Sequence, residues 1–341
     1  MTQQWDVLIA GGGVIGASIA RELSRYDLKT ALVEANSDLA LGTSGANSGI
    51  VHAGYDAVPG TLMAELNVRG NAMYPELCSK LEIPFEPIGS LVLAFDEDDE
   101  ATIRKLYERG QVNGVPDLQI LGAEEVKAME PHVTGSVRGA LYAPTAGVVS
   151  PYEATIAIAE NAAENGVSFY LEHPVTAVRK TEEGFVVTAG GEEFCCRILI
   201  NCCGVHANEL SRMAGGEPFE VTGRKGEYIL YDKNLGGYVS HVLFQPPSKM
   251  GKGILVTQTA EGNMLIGPAV STSKISTTPQ RPRMVWMRCL RQHAVPVRTC
   301  RQAERSLPLP ACVPSSVTTS SSGIPISWMD CCRQQASVPR A

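Results

Sequence analysis

The sequence predicts an α/β protein: a strand–helix–strand unit at the amino end, a second α+β part around an antiparallel sheet, and a largely irregular tail. Three observations lead there. A glycine cluster separates an apolar run from a helical repeat between Trp5 and Tyr26, and strand-like runs recur at 167–203 and again from Val221. The composition then changes abruptly near residue 276. With 341 residues, 44% hydrophobic and 19% charged, the chain has enough apolar material for two domains. That balance excludes collagen-like, coiled-coil and wholly disordered chains. A net charge of −7 argues against a protein held on nucleic acid by phosphate contacts.

In chain order, Trp5–Ala10 reads as a buried parallel strand, and Ala17–Tyr26 places Ile19, Ala20 and Leu23 on one helical face. Thr30–Val33 is a second apolar strand. Residues 62–82 carry apolar positions at helical spacing, Ser90–Phe95 a strand, and Glu100–Asn113 a charged amphipathic helix whose acidic start, Asp96–Glu100, is a solvated helix opening. Gly122–Glu130 is a short helix stopped by Pro131, and Pro151–Asn165 a helix with proline in its first turn. Val167–Leu171, Val175–Lys180, Gly184–Ala189 and Phe194–Cys203 read as strands, with Gly190-Gly191 turning a hairpin. A helix follows at Ala207–Ala214, then strands at Tyr228–Tyr231, Gly253–Thr259 and Met264–Pro268.

Residues 1–276 carry 20 Lys+Arg against 34 Asp+Glu, net −14, with ten Lys and ten Arg. Residues 277–341 carry 9 against 2, net +7, and the two parts give the chain's −7. All nine of those tail cations are Arg. Proline, serine and threonine clusters there follow no helical or strand period. A basic interaction tail is one reading. A disordered segment foreign to the fold, such as the product of a shifted reading frame, suits the abrupt loss of lysine better.

Gly11-Gly-Gly13-Val-Ile-Gly16 fits G-x-G-x-x-G directly after the first strand. Gly11 permits the tight turn, Gly13 lets the backbone approach a pyrophosphate, and Gly16 lets helix and strand pack closely. Phosphates then sit on the free N–H groups and the positive end of the helix that opens at Gly16. Glu34 ends the second strand, at the spacing from Gly16 where a carboxylate can accept both ribose hydroxyls. An acid there disfavours a 2′-phosphate, so NADP is not expected. The segment Leu41–Gly54, rich in small and hydroxyl residues, could run along the dinucleotide.

These residues resemble the D-amino-acid-oxidase-like superfamily of FAD-dependent oxidoreductases. Within it the chain is similar to the branch holding FAD-linked glycerol-3-phosphate dehydrogenases and L-2-hydroxyglutarate oxidases. The resemblance rests on Gly11–Gly16, Glu34-Ala35, Thr43–Gly54, Pro59–Leu62, Ala146–Pro151, Ile200–Gly204, Arg224–Tyr228 and Gly262–Pro268, and covers residues 4 to about 270. It implies a discontinuous Rossmann-like FAD-binding domain of the GR2 type at 1–75 and 146–215, and a substrate domain at 76–145 and 216–276. The family's closing glycine-rich strand and helix are not found in 277–341. FAD is the implied cofactor, held by Gly11, Gly13, Val14, Ile15, Gly16, Glu34, Ala35, Thr43, Ser44, Asn47, Ser48, Gly49, Val175, Cys203 and Gly204. The implied reaction moves a hydride from the CH–OH of a small anionic substrate to flavin N5. sn-Glycerol 3-phosphate leads, L-2-hydroxyglutarate follows, and an amino acid comes third. A non-catalytic flavin-binding remnant and a plain NAD module are the competing readings.

His52 is the candidate base, with a hydrogen-bonding partner of the cofactor or backbone as its alternative role. Arg224 and Lys225 are candidates for holding the substrate's anionic end, with Lys252 a second possibility and a solvated sheet edge the alternative. His132, His173 and His206 are expected to be structural, and His241 is undecided. The ten cysteines form no CxxC pair, and Cys195-Cys196 and Cys202-Cys203 read as reduced core thiols. No metal constellation is expected. The expected electron acceptor is a quinone, a partner flavoprotein or oxygen. With no apolar run of membrane-spanning length, a cytoplasmic protein is expected, or one attached peripherally to a membrane.

Overall fold

The computed structural model describes residues 3–246 and 254–271, together with two short strands at 312–313 and 317–319. The chain opens with β1 (Gln3–Ala10), α1 (Val14–Leu23), β2 (Thr30–Val33), β3 (Ile50–Val51) and α2 (Leu62–Lys80). It continues through β4 (Phe85–Glu86), β5 (Ser90–Ala94), α3 (Glu97–Asn113), β6 (Gln119–Gly122), α4 (Ala123–Met129), β7 (Gly139–Ala143) and β8 (Gly147–Val149). Next come α5 (Pro151–Glu164), β9 (Ser168–Tyr170), β10 (Val175–Lys180), β11 (Phe185–Ala189), β12 (Glu192–Asn201) and α6 (Ala207–Met213). β13 (Gly223–Leu230), β14 (Val242–Phe244), β15 (Leu255–Gln258), β16 (Met264–Ser271), β17 (Cys312–Val313) and β18 (Val317–Thr319) complete the order.

The strands form three sheets. A six-stranded sheet runs β10-β11-β12-β1-β2-β9, with β12, β1, β2 and β9 parallel. A nine-stranded sheet runs β17-β13-β16-β15-β14-β5-β7-β6, with β18 also on β13. It is antiparallel except where β14 runs parallel to β5. A small sheet, β3-β8-β4, makes the third.

β1 shows why a sheet covered on both faces reads as an unbroken apolar run. Val7 and Ile9 pack with Ala20 of α1 and Ala162 of α5, whereas Leu8 and Ala10 pack with Phe194 and, beyond it, Leu210 of α6. Leu8, Ile9 and Leu32 are fully buried, each worth roughly 1.5–3 kcal/mol. β5 divides in the same way. Leu91 and Leu93 face one core of the nine-stranded sheet, and Val92 and Ala94 face the core shared with Ile103 and Leu106 of α3.

Two helices start earlier than the apolar period suggests. α1 begins at Val14 because the glycine turn itself supplies the helix start. α3 begins at Glu97, capped by Asp96, whose Oδ1 accepts from Asp99 N at 2.8 Å, while Asp99 Oδ2 accepts from Phe95 N at 3.0 Å. The acids that read as a solvated opening thus include the cap. α2 continues past residue 75, so an expected domain boundary falls inside a helix. Of the tail, Cys312–Val313 and Val317–Thr319 pair with β13. The rest of the irregular tail expected at 277–341 lies outside the described residues. Among the described residues, no helix is long and apolar enough to cross a membrane.

Candidate functional site: a dinucleotide cradle facing the nine-stranded sheet

The carboxyl ends of β1, β2 and β12 converge on the glycine turn. Gly11 takes φ +111, and a Cβ there would strike the carbonyl of Cys202; a Cβ at Gly16 would strike the carbonyl of Gly11. Both glycines are required by the protein's own packing. Gly13 differs. Its φ is an ordinary −78, and its Cβ would meet only Ser44 Oγ, at 3.1 Å. A side chain there would need only a small shift of Ser44, so packing asks less for glycine at 13 than at 11 or 16, and the position suits the close approach of a ligand.

Glu34 is turned to this turn. Its Oε2 accepts from Gly12 N at 2.6 Å, and its Oε1 accepts from Asn36 N at 2.9 Å and Asn36 Nδ2 at 2.7 Å. It remains half-buried, leaving acceptor capacity toward solvent. Val14 N, at the start of α1, donates to Ser44 Oγ at 2.9 Å. One first-turn amide is therefore held by the loop that follows the acid, while Gly13 caps the helix without a side chain. Ile15 beside it is 62% exposed, a large apolar side chain at the lip of the cradle.

The other expected cofactor contacts surround the same point. Cys203 lies against β1, its Sγ 3.4 Å from Ala10 O. Burial, reinforced by Cys202, Glu34 and Glu209, pushes its thiol up to about 12, so it brings no negative charge to a diphosphate site. Gly204 has φ +54 and open space at Cβ. His173 N donates to Glu34 O at 2.8 Å, which brings the start of β10 at Val175 close to the acid. Ala35 is exposed beside Glu34 and Thr43 is half-buried. Asn47 folds back on its loop, Oδ1 accepting from Gly49 N at 2.9 Å. Gly49, at φ +71, pins that loop to β8, with Val149 N donating to Gly49 O at 2.8 Å.

Beyond Gly49 the chain enters β3 and reaches His52, which is exposed and stacks on Phe244 of β14, ring centroids 5.8 Å apart and planes 23° apart. A separate cleft of about 220 Å³ lies between residues 45–48, the start of α5 at Pro151 and Tyr152, and the nine-stranded sheet at Tyr228, Leu230, Glu261 and Leu265. Ser48 lines this cleft. Glu261 Oε1 is buried at its wall, as is the nearby Ser150 Oγ. Arg224 and Lys225 lie on β13, where Lys225 pairs with Ser271 and Val317. Their side chains, and Lys252, lie outside the described residues.

Sequence reasoning missed Gly12 and Asn36, the partners that aim Glu34. It also missed Phe244, because β14 is a three-residue strand. Only the position of Gly12 inside the motif could have flagged it. His241 proves to be a structural histidine. The buried Glu130 Oε1 accepts from Ser240 N at 2.8 Å, His241 N at 2.7 Å and His241 Nδ1 at 2.7 Å, tying α4 to the entry of β14. His132 stacks on Tyr238, and His206 pairs with Glu209. Cys78, Cys195, Cys196, Cys202 and Cys203 are free thiols. Among the described residues, no cluster could hold a metal ion.

A parallel sheet ending in this turn, with an acid at the tip of β2 and a second sheet facing the loop, defines a dinucleotide-binding α/β fold. The sequence matches the family described as FAD dependent oxidoreductase over residues 6–305, which reaches past the composition break at 276. The chain belongs to that family, and the cradle fits its cofactor, FAD. It is 45% identical over 309 residues to a glycerol 3-phosphate dehydrogenase of Caloramator mitchellensis, a match covering 89% of this chain and 62% of that protein. A glycerol 3-phosphate oxidase of Mycoplasma genitalium is 34% identical, covering 78% of this chain and 71% of that one. L-2-hydroxyglutarate dehydrogenase of Escherichia coli is 32% identical, with 77% and 63% covered. Among solved structures, L-α-glycerophosphate oxidase of Mycoplasma pneumoniae with FAD bound superposes with a TM-score of 0.82 at 28% identity, over 94% of this chain and 85% of that one.

Proposed function

We propose that this chain oxidises the secondary alcohol of sn-glycerol 3-phosphate. The reading is supported above all by the 45% identity to a glycerol 3-phosphate dehydrogenase over most of the chain. FAD, when bound, supplies the two-electron acceptor that takes the hydride leaving the carbinol carbon. The residues of this chain would do the rest. Gly13 and the opening turn of α1 would hold the diphosphate by backbone N–H groups, and Glu34 would hold the adenosine ribose. His52 takes the proton of the substrate hydroxyl, so that hydride and proton together leave a ketone. Arg224 and Lys225 of β13 are proposed to bind the phosphate. The nine-stranded sheet faces the loop 45–48 across the cleft, where a bound ligand would displace water. Residues 1–75 and 146–215 would form the cofactor domain, with 76–145 and 216–276 the substrate domain. The electrons would then leave to a quinone, a partner flavoprotein or oxygen.

Anaerobic bleaching of the flavin tests the reading. Glycerol 3-phosphate should bleach the yellow protein and L-2-hydroxyglutarate should not. Bleaching by 2-hydroxyglutarate alone would reassign the substrate to that of the relative at 32% identity. A yellow protein that neither compound bleaches would mean a flavin-binding remnant.

A further inference from the structure

We propose that Phe244 is a positioning residue for His52: its ring fixes the plane of the imidazole just beyond β3. The inference rests on His52 acting as the base. His52 is exposed, yet its ring lies on Phe244 with centroids 5.8 Å and planes 23° apart, an offset stack. Phe244 cannot itself drift. Its backbone is paired on both sides, to Leu255 of β15 and to Val92 of β5. Its side chain packs against the Tyr228, Leu255 and Leu265 cluster, as does Ile50, and against the core that holds Ala53, so residues on both sides of His52 share a core with it. The benzene ring has no hydrogen-bonding atom to offer either imidazole nitrogen, so it acts on the orientation of the ring. A base held in plane is worth most where proton and hydride must leave together, since small misplacements of a reacting group cost large rate factors.

The test compares F244L, F244M, F244Y and H52A in the FAD-loaded full-length chain. F244L should slow anaerobic flavin reduction by glycerol 3-phosphate about tenfold to a hundredfold with KM little changed. F244Y, which keeps the ring, should return close to the wild-type rate. F244M serves where F244L folds poorly. Independently of activity, the His52 ring-proton resonance, identified by its loss in H52A, should move downfield in F244L as the shielding ring is removed. H52A slow, with F244L as fast as wild type or the His52 resonance unmoved, overturns the inference alone. A raised KM or lowered FAD content with an unchanged maximal rate would reduce Phe244 to packing and also overturn it. H52A as fast as wild type would sink the base reading, and this inference with it.

Discussion

Gly13→Ala separates what the fold needs from what the cofactor needs. The added methyl would meet only Ser44 Oγ, at 3.1 Å, and the backbone sits at φ −78, ψ 177, which alanine adopts freely. Alanine is a poorer N-cap than glycine by roughly 0.5–1 kcal/mol. The reduced freedom of the unfolded chain returns about 0.4–1 kcal/mol. The two nearly cancel, so the melting temperature should stay within ~4 °C of wild type. Cofactor binding should behave differently, because the methyl occupies the space through which a phosphate oxygen reaches the amides of α1. Loss of one charge-assisted hydrogen bond costs about 1.5–3 kcal/mol, which is roughly a 10- to 150-fold weaker Kd. FAD retained per chain after gel filtration, Kd from flavin fluorescence, and melting by circular dichroism measure all three. Wild-type FAD affinity in a folded Gly13→Ala protein would refute the phosphate placement. Collapse of the fold would refute the account of why glycine stands there.

His52→Ala should keep its FAD but slow anaerobic reduction by about 10²- to 10⁴-fold, the usual contribution of a positioned base; stopped-flow absorbance checks this. Glu130→Ala removes the buried acceptor for two backbone N–H groups and the His241 ring. It should cost about 3–5 kcal/mol, read as a lower urea midpoint. Burial pushes the Cys78 and Cys202 thiols up to about 11, and those of Cys196 and Cys203 to about 12, the last two also feeling a neighbouring cysteine. The unfolded chain loses those protons near the ordinary value of 9.0 while the folded chain keeps them. Stability is therefore fully present below that value and falls as pH rises toward 11–12, which urea titrations from pH 8 to 11 would detect. A flat profile there would mean that these thiols are not buried as described.

The cofactor side of the fold was legible because its physics is local in sequence. Gly11, Gly13, Gly16 and Glu34 fall in one short stretch of chain, and each residue type answers one demand of a strand–turn–helix unit. Burial of Val7–Ala10 in β1 and of Thr30–Val33 in β2 made them compact, largely apolar runs, which set the carboxyl ends of both strands. The substrate side was harder. β3, β4, β8 and β14 are very short and hold their places by pairing with distant partners, so no period exists to read. Phe244 looks like any core aromatic until β5, from a distant part of the chain, is seen beside it. Gly12 was passed over because the motif leaves its position unspecified, although its N–H is what orients Glu34.

The position of His52 follows from the small sheet rather than from either large one. Ile50 of β3 pairs with Val148 and Val51 with Gly147. Side chains alternate along an extended chain, so His52 returns to the side of Ile50, which packs toward Tyr228, Leu255 and Leu265 of the nine-stranded sheet. Val51 points the other way, into the core with Ala17 of α1 and Ile158 of α5. A slip of one residue against β8 would exchange those faces, burying an imidazole among α1 and α5 and turning a valine toward the nine-stranded sheet. Gly49 guards against the slip. Its left-handed φ of +71 and its close approach to the Val149 carbonyl admit no side chain, so the register is fixed immediately before β3 begins. The same loop holds Val14 through Ser44. Cofactor cradle and candidate base are thus set by one continuous segment, Ser44 to His52, anchored at Val14 on one side and at β8 on the other. A change in that segment that alters FAD binding should therefore also displace His52 from Phe244.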